Sequence, residues 1–127
     1  MNLLIDSHEF IWWADSPQRL SGKTLSALLD KTNVLYLSLA SIWEMQIKVQ
    51  ISKLSFKRGL KTTVEMHQTQ NNLQILPVTL DHIYELEKLP FHHKDPFDRL
   101  LIAQASVENF TLVTDDPNFS AYSIKIL

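Results

Sequence analysis

The segment HHKDPFDRLLIAQA, residues 92–105, sets two histidines, a lysine, two aspartates and an arginine against an apolar run. Asp95 followed by Pro96 has the form of a helix N-cap with proline at the first helical position, where the missing N–H costs nothing. Leu101, Ile102 and Ala105 lie three, four and seven residues beyond Asp98, so they share its face of a helix predicted to run to about Glu108. That face is apolar and belongs against a sheet. Capping accounts for Asp95 but not for Asp98. Its carboxylate heads an inward-facing row and needs a cation or a hydrogen-bonding partner to offset burial.

The elements around this helix alternate. Leu3-Leu4-Ile5 reads as a buried strand ending at Asp6, followed by a helix over His8–Ala14 that Pro17 stops. Ser21 is placed to cap the next helix, with Leu20 and Leu25 at hydrophobic-staple spacing. Val34–Leu37 is the second strand, and Ser38 caps a helix running to about Val49. A helix is expected over roughly Phe56–Gln70, a short strand within Leu73–Val78, and a helix over Asp81–Lys88. Thr111–Val113 is the fourth strand and Ile124–Ile126 a fifth. Strands alternating with helices point to a parallel sheet covered on both faces.

A chain of 127 residues fits one domain, here residues 1–127, with 45% apolar and 20% charged residues giving a globular composition. The absence of cysteine excludes disulfides and thiolate metal sites. The opening MNLLID lacks the features of a signal peptide, and no apolar run approaches the length of a membrane span. A cytoplasmic protein with no membrane partner is expected. The net charge of −2 says little, but Gln46–Val64 carries Lys48, Lys53, Lys57, Arg58 and Lys61 and no acid. Such a stretch can attract a polyanion or simply be a solvated face.

Sites in open parallel sheets form outside the carboxyl ends of the strands. Asp6 stands at one such end, and Asp115 and Asp116 just beyond another, in TLVTDD. Glu44 could close a capping box with Ser41. Ser38 is the better cap, which leaves Glu44 inside the helix in line with Ala40, Ile47 and Ile51. If Asp6, Glu44, Asp98 and Asp116 converge, each pair at about 4 Å repels by about 1 kcal/mol in water and about 4 kcal/mol at an effective dielectric of 20. A hard divalent cation, Mg²⁺ or Mn²⁺, relieves that repulsion and suits oxygen ligands. The histidines are weaker metal candidates, because no HExxH occurs. His92, His93 and Lys94 are expected to rim the pocket or meet phosphate. Ser21-Gly22-Lys23-Thr24 is not a P-loop, since Pro17 stands where its first glycine belongs.

LLIDSHEFIWW, SLASIWEM, HHKDPFDRLLIAQA and TLVTDDPNF, in this order and spanning nearly the whole chain, resemble the PIN domain of VapC-like toxins. The resemblance implies a three-layer α/β/α sandwich around a central, mostly parallel five-stranded sheet. It also implies a Mg²⁺- or Mn²⁺-dependent endoribonuclease, the toxin half of a type II toxin–antitoxin pair. The family's four acids fall on Asp6, Glu44, Asp98 and Asp116. Thr114 matches a hydroxyl position that binds a metal-ligating water or backbone, and Ser7 stands where threonine is commoner. Glu9 adds an acid where a small residue is usual, either exposed on its helix or altering the pocket. Asp115 leaves the fourth acid open by one residue, and the T-x-D spacing favours Asp116.

On this reading the four acids hold the metal and orient water, with Asp95, Asp115, Thr114 and Ser7 in secondary places. Lys48, Lys57, Arg58, Lys94 and Arg99 are candidates to attract RNA phosphates. The implied partners are RNA and a cognate antitoxin, with the toxin as a homodimer or in a dimer of heterodimers. The groove for the antitoxin is expected near the helices carrying Trp12, Trp13 and Trp43. An aspartyl-nucleophile phosphatase would want an aspartate where His8 stands. The alternative is a catalytically silent PIN-like module that binds RNA or protein.

Overall fold

A computed structural model describes all residues, Met1–Leu127. Four strands, β1 (Asn2–Ile5), β2 (Val34–Ser38), β3 (Gln74–Leu76) and β4 (Thr111–Val113), form one sheet in the order β3-β2-β1-β4. All neighbours are parallel, with Leu3 opposite Leu35 and Leu4 opposite Leu112. The helices are α1 (Ser7–Asp15), α2 (Gly22–Leu29), α3 (Leu39–Gln50), α4 (Leu60–Asn71), α5 (Leu80–Glu85) and α6 (Pro96–Glu108).

Side chains alternate across a strand, so a strand apolar at every position must be covered twice. Leu3 and Ile5 of β1 join Phe10, Trp13, Leu28, Leu37, Met45 and Leu60 in one core. Leu4 points the other way, into a core with Leu101, Ile102, Ala105, Leu112 and Phe119. One face therefore carries α1–α4, while α6 covers the other with α5 packed beside it. No helix is long and apolar enough to cross a membrane.

Caps fix the helix starts. The side chains of Ser21, Ser38 and Asp95 each accept an amide hydrogen bond at the heads of α2, α3 and α6. Asn109 ends α6 in the left-handed conformation at φ 58°. Two expectations are corrected. The helix expected over Phe56–Gln70 starts only at Leu60, because Gly59 at φ +80° stands outside helical geometry as its N-cap. The fifth strand is reduced to one parallel bridge between Leu112 and Ile126, held by Leu112 N–H to Lys125 O at 2.8 Å and Leu127 N–H to Leu112 O at 2.9 Å. A 3₁₀ turn over Pro117–Ala121 takes up the intervening chain, and β4 is only three residues long.

The strand order has a functional consequence. From β1 the chain moves outward to β2 and β3, then returns to the other side of β1 as β4. The carboxyl ends of β1 and β4 thus flank a topological switch point, where open α/β sheets leave a crevice.

Candidate metal centre

Asp6 leaves β1 at the switch point. It occupies the N-cap position of α1, yet its side chain caps nothing. Its backbone N–H continues the ladder to Val113 O at 3.0 Å, and its Oδ2 accepts a 2.9 Å bond from the Thr114 hydroxyl across the strand ends. Asp6 is 5% exposed, and burial pushes its pKa up against the lowering effect of the Thr114 bond.

Glu44 arrives from α3, one turn and a half past the Ser38 cap. Its Oε1 accepts from the Ser7 hydroxyl at 2.9 Å, and its Oε2 lies 3.7 Å from Lys48 Nζ. The capping-box role with Ser41 is not taken, since Ser38 makes the cap bond to the Ala40 amide.

The quoted helix resolves its two aspartates differently. Asp95 Oδ1 accepts the Asp98 amide at 3.0 Å and so acts as the cap. The Asp98 carboxylate is released for other work: it is half-buried, with Oδ2 2.9 Å from His93 Nε2. That nitrogen has no aligned hydrogen bond, so the pair is a close polar contact rather than a well-directed one. Burial, then the charges of Asp95 and Asp6, raise the Asp98 pKa from 3.8 to about 7, with Glu44 adding to the rise. The charges of Asp6 and Glu44 therefore reach Asp98 from β1 and α3.

Asp116 follows β4. Its amide donates to Thr114 Oγ1 at 3.1 Å, and its Oδ1 caps the following 3₁₀ turn by accepting from the Asn118 amide at 2.9 Å. Ligand atoms of Asp98, Asp116 and His93 lie within 4.8 Å of one another. The heads of α1, α3 and α6 meet at this sheet edge, and helix N-termini favour negative charge.

Asp98 and Asp116 thus come together with His93, while Asp6 and Glu44 act on Asp98 through their charge but lie outside this close set of ligand atoms. Thr114 links Asp6 to the Asp116 backbone, and Ser7 links α1 to Glu44. His93, expected to rim the pocket or meet phosphate, enters the cluster because its Nδ1 accepts the Asp95 amide at 3.3 Å and the ring is folded over the head of α6. Its position two residues before an Asp-Pro cap is a signal that sequence reasoning passed over. Of the two placements open for Glu9, the structure takes the inward one: it is 1% exposed, and its Oε1 accepts the Asp115 amide at 3.1 Å.

The basic candidates divide. Arg99 is corrected: it is 7% exposed, and its guanidinium donates to the carbonyls of Leu86, Leu89, Pro90 and His93, so it ties the Leu86–His93 segment to α6 rather than meeting a phosphate. Lys57 and Arg58 sit at the far end of α1, where Lys57 bonds Asp15, about 12 Å along the helix from the acids. Lys48 is beside Glu44, and Lys94 is exposed at the mouth.

Oxygen donors predominate, and burial together with the charge of neighbouring acids holds the Asp98 carboxyl near a neutral pKa. Both suit a hard divalent cation, which would relieve the repulsion that a proton otherwise relieves.

The sequence matches the PIN domain family model over residues 3–125. No curated protein sequence matches the chain. The fold is similar to VapBC2 from Rickettsia felis, solved bound to a DNA fragment from their promoter, with a TM-score of 0.77 at 19% identity, covering 100% of this chain and 98% of that one. It is also similar to VapBC-5 from Mycobacterium tuberculosis, a member of the VapBC family of toxin–antitoxin systems, with a TM-score of 0.61 at 16% identity over 99% and 95% of the two chains. The PIN domain endonuclease Utp24 matches with a TM-score of 0.53 at 16% identity over 94% of this chain and 74% of that one. With the family model covering nearly its whole length and the parallel sheet and switch-point crevice to match, this chain belongs to the PIN domain family.

Proposed function

We propose that this protein is the toxin of a type II toxin–antitoxin pair and a Mg²⁺- or Mn²⁺-dependent endoribonuclease acting in the cytoplasm. The observation that supports this reading most is that ligand atoms of Asp98, Asp116 and His93 lie within 4.8 Å of one another beside the strand end that carries Asp6, whose charge and that of Glu44 act on Asp98. Asp98 and Asp116, beside His93, would hold the cation with Asp6, and Glu44, oriented by Ser7, would complete the group. A bound hard cation neutralises a phosphate oxygen and lowers the pKa of water. The chain's own work is to fix these carboxylates: Thr114 locks Asp6 to the Asp116 backbone, and the Asp95 cap keeps the Asp98 amide from competing for its own carboxylate. Lys94 and Lys48 draw the RNA backbone toward the mouth.

The antitoxin docks an apolar segment into the groove of about 610 Å³ lined by Leu39, Ile42, Trp43, Leu60 and Val64. Trp43 is 63% exposed there, whereas Trp13 is buried in the core and Trp12 half-buried. Purified Asp6→Asn, folded by circular dichroism, is expected to lose at least 100-fold in Mg²⁺-dependent RNA cleavage. Cleavage at the wild-type rate, or wild-type cleavage that persists in a chelator, refutes the assignment.

A further inference from the structure

Glu9 and Asp115 lie beside the proposed centre and have no part in it. Glu9 is 1% exposed on α1, and while its Oε1 accepts the Asp115 amide, its Oε2 is fully buried with no hydrogen-bond partner. What faces the Glu9 carboxyl is the carboxyl of Asp115, an acceptor against an acceptor. No lysine, arginine or histidine makes an ion pair with either residue. An isolated buried carboxylate is costly, and an orphaned buried oxygen calls for a missing donor or ion. Glu9 responds as a group short of a counter-charge: burial, then Asp115, raise its pKa from 4.5 to about 7.

Local charge balance points the same way. Glu9 and Asp115 add two carboxylates to Asp6, Glu44, Asp98 and Asp116 at this edge, while Lys48 and His93 pair with Glu44 and Asp98 and His8 acts on Asp6. One divalent ion leaves that group strongly negative, and Asp6, three residues before Glu9, sits one helical turn away from it. Asp115 is exposed and Glu9 is buried, so an ion reaches the pair from the Asp115 side.

We infer that Glu9 Oε2 and the Asp115 carboxylate form a second hard-cation subsite, next to but separate from the Asp98–Asp116 centre. Two anionic oxygens, one from α1 and one from the chain just past β4, completed by water, suit Mg²⁺ or Mn²⁺ and not a nitrogen-seeking metal. The inference rests on the reading of this sheet edge as a cation-dependent site and adds an ion to it.

The test counts ions rather than products. Mn²⁺ alone is titrated at pH 7.5 into the full-length protein, with free Mn²⁺ followed by electron paramagnetic resonance and heats by calorimetry. The expected result is two ions per wild-type chain. Glu9→Gln keeps the acceptor for the Asp115 amide, and with Asp115→Asn as a second variant it loses one ion or at least tenfold in that ion's affinity. Asp98→Asn keeps the Glu9-dependent ion and loses the other. A single ion that Asp98→Asn abolishes and Glu9→Gln leaves untouched overturns the inference while the proposed function stands. Unchanged ion binding in Glu9→Gln with a raised melting temperature overturns it in favour of a proton shared by the two carboxyls. No ion bound by the wild type sinks both.

Discussion

Asp98→Asn separates the energy of the folded chain from the needs of its site. In the folded protein Asp98 carries a pKa of about 7, against an ordinary value of 3.8. The folded state therefore holds its proton more tightly than the unfolded chain, and stability falls as pH rises from about 4 through 7. At pH 7 the full ionisation cost comes to about 4 kcal/mol. The side chain is 23% exposed, so solvent screens part of this, leaving about 2 kcal/mol. Asparagine removes the charge, keeps the side-chain shape, and leaves the amide bond to Asp95 intact. Without divalent ions at pH 7, the variant is expected to melt about 5–10 °C above wild type. At pH 5, where wild-type Asp98 is already protonated, that gain shrinks by more than half. The same variant loses Mn²⁺ affinity and RNA cleavage. Differential scanning calorimetry in chelator at both pH values, with Mn²⁺ titration alongside, checks all of this. A melting temperature equal to or below wild type at pH 7 means that neither burial nor neighbouring charge strains the Asp98 carboxylate, and refutes the reading of this edge as a cation site.

Other consequences follow from the same geometry. Mn²⁺ binding at the centre displaces a proton from Asp98, so affinity is expected to fall about tenfold per pH unit below 7; equal affinities at pH 6 and 7.5 would contradict this. Thr114→Val removes the donor to Asp6 and the acceptor for the Asp116 amide, costing about 1–2 kcal/mol in urea unfolding and about tenfold in metal affinity. Arg99→Lys cannot reach four carbonyls with one ammonium, so it is expected to lose about 2–3 kcal/mol of stability. A variant as stable as wild type would return Arg99 to the RNA-binding candidates. Lys94→Ala leaves folding untouched and reduces the salt dependence of RNA binding by one phosphate contact, a slope change of about 1.

Much of this protein is written in local patterns. Ser21, Ser38 and Asp95 cap the helices that their spacing predicts, because a cap is satisfied within three residues of chain. Leu3-Leu4-Ile5 specifies a strand buried on both faces, and the apolar row after Asp98 specifies what α6 packs against. Gly59 shows the limit, since a predicted helix over Phe56–Gln70 ignores one residue whose φ of +80° stops it. The fifth strand fails for a similar reason, as β4 is too short to carry a full partner.

What the tertiary structure decided is which distant residues meet. The order β3-β2-β1-β4 puts the ends of β1 and β4 side by side, and only that brings Asp6 to Thr114 across 108 residues. Arg99 reads as an exposed phosphate-binding charge in sequence and Glu9 stays open between two placements, because a charged residue type gives no account of its burial. The Leu86–His93 carbonyls draw one inward, and the Asp115 amide the other. Periodicity and capping are short-range and survive in the sequence as readable signals. Strand order, and with it the electrostatics of a shared site, comes from long-range pairing that no local stretch encodes.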